Sequence, residues 1–411
     1  MRKYEGMCKA KVGIVHPRLG SGGSEARALW ALEALSHEYE VSLITAGPVD
    51  LPQLNEYYGT TLQPGDFDLV HAPMPPGLRG GRFAALQGHI FQRYCQRVAG
   101  RFDVMISAYN PCNFGVPGIQ CIADFSFVPE WRFALHPRLQ DHRRWWYADS
   151  PLRRAYFGLC NLISTSDAQN FKRDLIVANS NWSAARLREK LGIEARTLYP
   201  PVAGDFPRVP EAEKENGFVC LGRVVAEKRV LEMIQILVRV RLKGHDIHLH
   251  ILGETEDPQY ERELRKLAEQ QQGWVFLENK VFGKRKKDLL ARHRFGIHGC
   301  TGEAFGIAVA EMVKAGCIVF VPEGGGQTEI VNHADLIYPD DGAAVRKIDA
   351  ILRSPEKQHG LRDHLLAGSR RFSTEIFQRG ILELTREFLE RPRAENRKSK
   401  EENCTGIMVP N

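Results

Sequence analysis

No run in the 411 residues approaches the roughly 20 consecutive apolar residues needed to cross a bilayer. The opening "MRKYEGMCKAKVGIVH" lacks the apolar core of a secretory leader, so an intracellular protein is expected. C-x-x-C pairs are missing as well. The nine cysteines are odd in number and scattered through apolar contexts such as "FVCLG" and "AGCIVF". This excludes a disulfide framework and predicts buried free thiols with no structural metal. No nucleic-acid-binding motif and no internal repeat is present.

What is present is the composition of an ordinary globular protein, 43% hydrophobic and 26% charged. The chain is too long for one core and reads as two domains of about 200 residues. Up to about Pro200, short β-branched or apolar runs alternate with helix-like segments: "VGIVHP", "VSLITAG", "DLVHAP", "DVMISAY", "IQCIADF" and "LIVANS". After "LYPPVAGDFPRVPEAEKENG" the alternation resumes with "FVCLGRV", "IHLHILGE", "WVFLEN", "FGIHG", "CIVFVPE" and "DLIYPD". The pattern predicts an α/β protein of two doubly wound, Rossmann-like domains facing across a cleft. The expected boundaries are 1–200 for the first domain, 201–216 for a linker and 217–370 for the second. Residues 371–390 form a C-terminal helix returning to the first domain, and 391–411 a polar, disordered tail.

The net charge of +6 is unevenly spread. Arginines gather at Arg79, Arg82, Arg93, Arg97 and Arg101, and again at Arg143, Arg144, Arg153 and Arg154 around Trp145 and Trp146. One reading is a solvated basic face with two core aromatics; the other is a surface that rests on anionic lipid headgroups.

In parallel α/β sheets the loops after the strands carry the chemistry. "HPRLGSGGSEARALWALEAL" follows the first strand. There Gly20, Gly22 and Gly23 permit close backbone approach, and the helix start at Ser24 offers N–H groups to an anion. "CLGRVVAEKRVLEMI" places Arg223 at a strand end and Lys228 at the next helix start, two cations suited to a diphosphate. "GEAFGIAVAEMVKAG" reads as one helix from Gly302 to Gly316. On it Glu303 and Glu311, eight residues apart, fall within about 80° of each other and look toward one cleft. "GDFDLVHAP" holds an Asp-x-Asp, Asp66 and Asp68, either a divalent-cation site or the polar approach to a strand.

Together "GSGGSE", "GRVVAEK", "GEAFGIAVAEMVKAG" and "PEGGGQTEIV" resemble the ordered motifs of the retaining glycosyltransferases of family 4, which have the GT-B fold. "VANSNWSAARL" and "LYPPV" are similar to mannosyltransferases of lipid-linked oligosaccharide and surface polysaccharide assembly. The resemblance covers Val12 to about Leu389. It implies that Glu303 lies against the transferred sugar and that Glu311 holds the nucleotide ribose. It further implies that the backbone of Phe305 and Gly306 faces sugar and diphosphate, and that the segment around Val281 meets the base. It assigns the place of Asp66 and Asp68 no metal, which implies the polar approach to a strand. Many relatives have a histidine facing the sugar where this chain offers Asp124, which is either a sugar contact or a loop cap. The implied activity is metal-independent, retaining transfer of a hexose, with mannose from GDP-mannose favoured, to a glycan or lipid-linked acceptor. The implied enzyme is cytoplasmic, touches anionic membrane peripherally and has no cofactor beyond its donor. A UDP-sugar transferase acting on a soluble acceptor, or a non-catalytic sugar-nucleotide-binding partner, are the alternatives.

Overall fold

The computed structural model describes residues 9–75, 78, 83–128, 150–164, 170–255 and 257–391. A first sheet holds β1 (Lys11–Val15), β2 (Glu40–Thr45), β3 (Asp68–His71), β4 (Val104–Ser107), β5 (Ile119–Ile122), β6 (Leu175–Ala178) and β7 (Arg196–Thr197). A second holds β8 (Glu215–Leu221), β9 (His248–Leu252), β10 (Val275–Asn279), β11 (His293–Ile297), β12 (Ile318–Pro322) and β13 (Ile337–Tyr338). Their spatial orders are β3-β2-β1-β4-β5-β6-β7 and β10-β9-β8-β11-β12-β13. Every pairing is parallel, for example Val12 with Val41 on one side and Val104 on the other. Parallel strands covered on both faces are apolar throughout, and β12 "IVFVP" is buried along its whole length.

The helices that cover the sheets are α1 (Gly23–Ser36), α2 (Leu51–Tyr58), α3 (Ala84–Val98), α4 (Pro151–Ile163), α5 (Asn181–Leu191) and α6 (Val230–Arg241). They continue as α7 (Pro258–Gln270), α8 (Gly283–Arg292), α9 (Ile307–Lys314), α10 (Gln327–Val331), α11 (Asp341–Leu352), α12 (Pro355–Ser369) and α13 (Thr374–Glu390). Their ends follow from local chemistry. Asp50, Ser180, Asp257, Asp340, Ser354 and Ser373 each accept a backbone N–H of the following turn. Gly59 and Gly192 close α2 and α5 in the left-handed conformation.

Each sheet has its own core, and α13 ties the chain's end to its beginning. Phe377, Ile381, Leu384 and Phe388, at helical spacing, are buried among Val12, Ile14, Leu29 and Leu32 of the first domain. Strand order reverses between β1 and β4 in the first sheet and between β8 and β11 in the second. A crevice opens at the carboxyl ends of such switch points. The two crevices face one another across a cleft of 990 Å³. The seven cysteines among the described residues are free and buried. Asp68 begins β3, at the end of the sheet away from the cleft, and Asp66 accepts the N–H of Gln63 in the preceding turn.

Candidate functional site

Loops from both switch points line the cleft. From the second domain come Arg223 and Lys228 after β8, and Glu303 and Ala304 after β11, with Glu311 from α9. From the first come Gly22 and Gly23 after β1, and Asp124 after β5. Val281, following β10, closes the far wall.

The helix expected from Gly302 starts later. Gly302 has φ +74° and Gly306 φ +101°, so Glu303 sits in a loop bounded by two left-handed glycines, and α9 begins at Ile307. Glu303 and Glu311 still reach one cleft, through a loop and a helix instead of one helical face. Phe305 is 2% exposed and its ring packs on Tyr199 and Phe372, centroids 5.8 and 5.3 Å away. Its side chain is core, which leaves only its backbone to meet a ligand.

Glu303 Oε2 is ion-paired with Lys228 Nζ and lies 3.4 Å from His298 Nε2. Burial alone would raise the carboxyl's pKa, yet the Lys228 charge and His298 hold it well below the ordinary range. Burial likewise opposes the Lys228 charge, and Cys300 and Glu303 together raise its pKa above the ordinary lysine value. The result is a fixed cation beside a fixed anion at the mouth of β8 and β11. Arg223 is exposed in the same crevice. Glu311 Oε1 accepts from Lys286 Nζ at 2.9 Å, and that ammonium lies 5.7 Å from the ring centre of Tyr57 across the cleft.

The glycine loop is occupied in part by the protein itself. Gly22 N–H donates to Tyr58 Oη at 2.8 Å, and the same hydroxyl lies 2.9 Å from Gly20 O. Gly23 opens α1, where a Cβ would fall 2.4 Å from Ile307 Cδ1 of the opposite domain. Its close approach therefore serves the interface, and the helix starts one residue earlier than Ser24. Asp124 Oδ1 accepts from Asn110 Nδ2 and from Ser126 N–H, both at 2.8 Å. These are loop-capping contacts made by a carboxylate that also lines the cleft.

Several contributors were invisible in the sequence. Ser180 Oγ and Ser183 Oγ of the first domain donate to Ala304 O at 2.6 and 3.0 Å. Gly326 N–H donates to Glu303 O at 2.7 Å, and Gln327 Nε2 to Cys300 O at 3.2 Å. A Cβ on Gly326 would come within 2.3 Å of Ala304 O. The loop carrying Glu303 is thus braced from two directions. Glu329 accepts the N–H groups of Asn181 and Trp182 at the start of α5, 3.1 and 2.6 Å, and the Tyr199 hydroxyl at 2.8 Å. "VANSNWSAARL" and "GGGQTEIV" are the two halves of this contact between domains. Arg27, buried in α1, donates to Ile122 O just before the Asp124 loop. Of the arginine-rich stretches, Arg79, Arg82, Arg143, Arg144, Trp145 and Trp146 lie outside the described residues, and nothing is described of the Arg153 side chain.

Comparison with known proteins bears on the family and the fold. Residues 204–364 match the family described as Glycosyl transferases group 1. The mouse GDP-Man:Man(3)GlcNAc(2)-PP-Dol alpha-1,2-mannosyltransferase is 25% identical over 234 residues, 51% of this chain and 47% of that protein. The chain therefore spans about half the length of that relative. Among solved structures, a sucrose-phosphate synthase from Thermosynechococcus elongatus superposes with a TM-score of 0.69 at 14% identity, over 92% of this chain and 99% of that one. Anabaena Alr3699/HepE, solved with UDP and glucose, gives 0.66 at 14% identity, over 92% of this chain and 100% of that one. The chain carries a group 1 glycosyltransferase domain, and its two Rossmann-like halves make the GT-B fold.

Proposed function

We propose that this glycosyltransferase moves a hexose, with retention of anomeric configuration, from a nucleotide sugar to a glycan or lipid-linked acceptor, and that its donor is GDP-mannose. The observation that carries the reading is the Lys228–Glu303 pair beside Arg223, at the point where both switch crevices meet. Transfer breaks the bond between the anomeric carbon and a diphosphate oxygen, and negative charge grows on the departing phosphate. Lys228, held by Glu303, and Arg223, exposed beside it, are cations on the second-domain side of that bond, so they stabilise this charge more in the transition state than before it. Glu303 holds Lys228 in place and accepts from a hydroxyl of the transferred sugar. Glu311, once released from Lys286, accepts from the ribose hydroxyls. Asp124, across the cleft, faces the sugar and stabilises positive charge at the anomeric carbon. The backbone around Val281 meets the base.

The proposed chemistry needs no metal. His298, Cys300 and Glu303 bring donor atoms within 4.8 Å of one another. However, the Lys228 ammonium already neutralises Glu303, and burial pushes the Cys300 thiol up to about 12. That set suits a protein cation better than a second one. Mannose is favoured by the named activity of the mouse relative. A lipid-linked acceptor is favoured by the same relative and by α4, which exposes Leu152, Leu159 and Leu162 along one face. No helix among the described residues is long and apolar enough to cross a membrane.

The test is transfer from a panel of radiolabelled GDP- and UDP-sugars to synthetic acceptors, with anomeric configuration read by NMR. Turnover of GDP-mannose with an α-linked product supports the reading. Turnover of a UDP-hexose redirects the donor, and saturable binding without turnover makes the chain a sugar-nucleotide-binding partner.

A further inference from the structure

At the opposite end of the second sheet from the cleft, four side chains converge. Glu215 opens β8, His248 and His250 lie two apart on β9, and His293 opens β11, so the strand order β9-β8-β11 brings them together on one face. Glu215 is six residues from Leu221 at the cleft, about 20 Å along an extended strand. Each of the four offers one donor atom, and all four atoms lie within 4.8 Å of one another.

The local geometry is closer than that limit. His248 Nε2 is 3.1 Å from His293 Nε2 and 3.3 Å from Glu215 Oε2, and His293 Nε2 is 3.6 Å from the same oxygen. Ligands held at 2.0–2.1 Å on a tetrahedral ion stand about 3.3 Å apart, so three donors already trace one face of such a tetrahedron. Three of the four ligands are also oriented from behind. His293 Nδ1 is 2.6 Å from Leu289 O, a carbonyl that can only accept, so Nδ1 carries the proton and Nε2 presents its lone pair. Glu215 Oε1 is held by Arg292 at 2.6 Å, which turns Oε2 inward. His250 Nδ1 is 2.8 Å from Glu278 Oε1, and its ring stacks on Phe276. Gly217 makes the space: a Cβ there would lie 2.2 Å from His248 Nε2. Two lone pairs, on Glu215 and His293, therefore meet a single proton on His248 Nε2.

We propose that Glu215, His248, His250 and His293 form a structural site for a divalent transition ion of the zinc class, clamping the starts of β8, β9 and β11. Binding keeps His248 neutral: the proton leaves Nε2 and is taken up at Nδ1, freeing Nε2 for the metal. Four protein ligands fill the coordination shell, which makes the site structural and leaves no position for substrate. Imidazole and carboxylate donors without thiolate suit zinc and cobalt(II).

The test uses the full chain, stripped with chelator and desalted. Zinc chloride titrated by calorimetry is expected to bind at one equivalent and to raise Tm by about 3 °C at a hundredfold excess over Kd. Cobalt(II) is expected to give the visible bands of a four-coordinate ion without a thiolate charge-transfer band. Glu215→Gln and His248→Gln should abolish both, and Cys300→Ser neither. Absence of zinc binding, equal binding by His248→Gln and the wild type, or a thiolate band in the wild-type cobalt spectrum overturns the proposal. The last reading stands even if the variants fail to fold.

Discussion

The Lys228–Glu303 pair is expected to behave as one unit, in stability and in turnover. The two side chains are 23% and 20% exposed, neither surface groups nor fully buried ones. At contact distance in such surroundings the direct attraction is about 4 kcal/mol. Withdrawal of two ions from water takes back much of it, so the net value of the pair is small. Removing one partner is different, because the survivor keeps its desolvation cost and loses its counter-charge. A fully buried pair loses about 3–5 kcal/mol in that way. Discounted for the remaining exposure, Lys228→Met and Glu303→Gln should each cost about 2–3 kcal/mol in urea denaturation. The double variant leaves neither charge uncompensated and should cost less than either single, about 1 kcal/mol, a coupling of about 3–5 kcal/mol. The depressed Glu303 pKa gives the sign with pH. The contribution is complete above the ordinary carboxylate range and is lost only as pH falls through the lower folded value. Transfer assays should follow the same logic: about a hundredfold loss or more in kcat for each single, and no further loss in the double. Strictly additive stabilities, or near-native turnover in either single, would refute the assignment of this pair as the charge centre of the site.

Glu329→Gln should raise KM for the donor and lower stability by about 1–2 kcal/mol, because two helix N-terminal amides and the Tyr199 hydroxyl lose an ionised acceptor; separate kcat and KM measurements check this. EDTA should leave the initial rate of transfer in place while lowering Tm, and loss of rate restored by magnesium or manganese would place a metal in the reaction. Asp174, which accepts from Gly118 N–H and Gln120 Nε2, has its pKa raised by burial to about 6. Its stabilising share is present below about pH 4 and is lost as pH rises through 6, on the order of 2–3 kcal/mol, so Asp174→Asn should flatten the stability profile between those limits. If the acceptor is lipid-linked, the protein should sediment with anionic liposomes at low salt, and replacing Leu152 and Leu162 with serine should weaken that binding; indifference to liposomes favours a soluble acceptor.

The sheets were legible because parallel strands must be apolar on both faces. "VGIVHP" and "CIVFVPE" contain β1 and β12 for that reason. The strand ends were legible too, and loops that follow strands are what bring Arg223, Lys228 and Glu303 to one cleft. Helical spacing predicts a helix from Gly302, whereas Gly306, with its positive φ, keeps α9 from beginning before Ile307. Lys286 lies in "GKRKKDLL", a run that reads as solvated charge, and only the fold brings it to Glu311. The bonds from Ser180 and Ser183 to Ala304 span 124 and 121 residues, a separation no local pattern encodes. The histidines of "IHLHIL" alternate as a strand requires, but their meeting with Glu215 and His293 depends on β8 lying between β9 and β11. The expectation of no structural metal rested on cysteine spacing alone, which is silent about imidazole.

These long-range contacts bear directly on how the cleft would work. On the proposed reading neither domain holds a complete site: Lys228 and Arg223 belong to the second, while the hydroxyls that fasten the Ala304 carbonyl belong to the first. Ser180 serves both sides at once, accepting from Ser183 N–H to cap α5 and donating to Ala304 O. Any rotation that opened the cleft would break that bond and the three to Glu329 together, leaving the Ala304 carbonyl and the first amides of α5 without those partners. The loop bearing Glu303 would then keep only its braces from Gly326 and Gln327. The angle between the domains and the setting of the residues beside Lys228 are therefore one mechanical variable. A donor that bridges Arg223 and Lys228 to the first-domain wall would favour the arrangement in which all of these bonds are made.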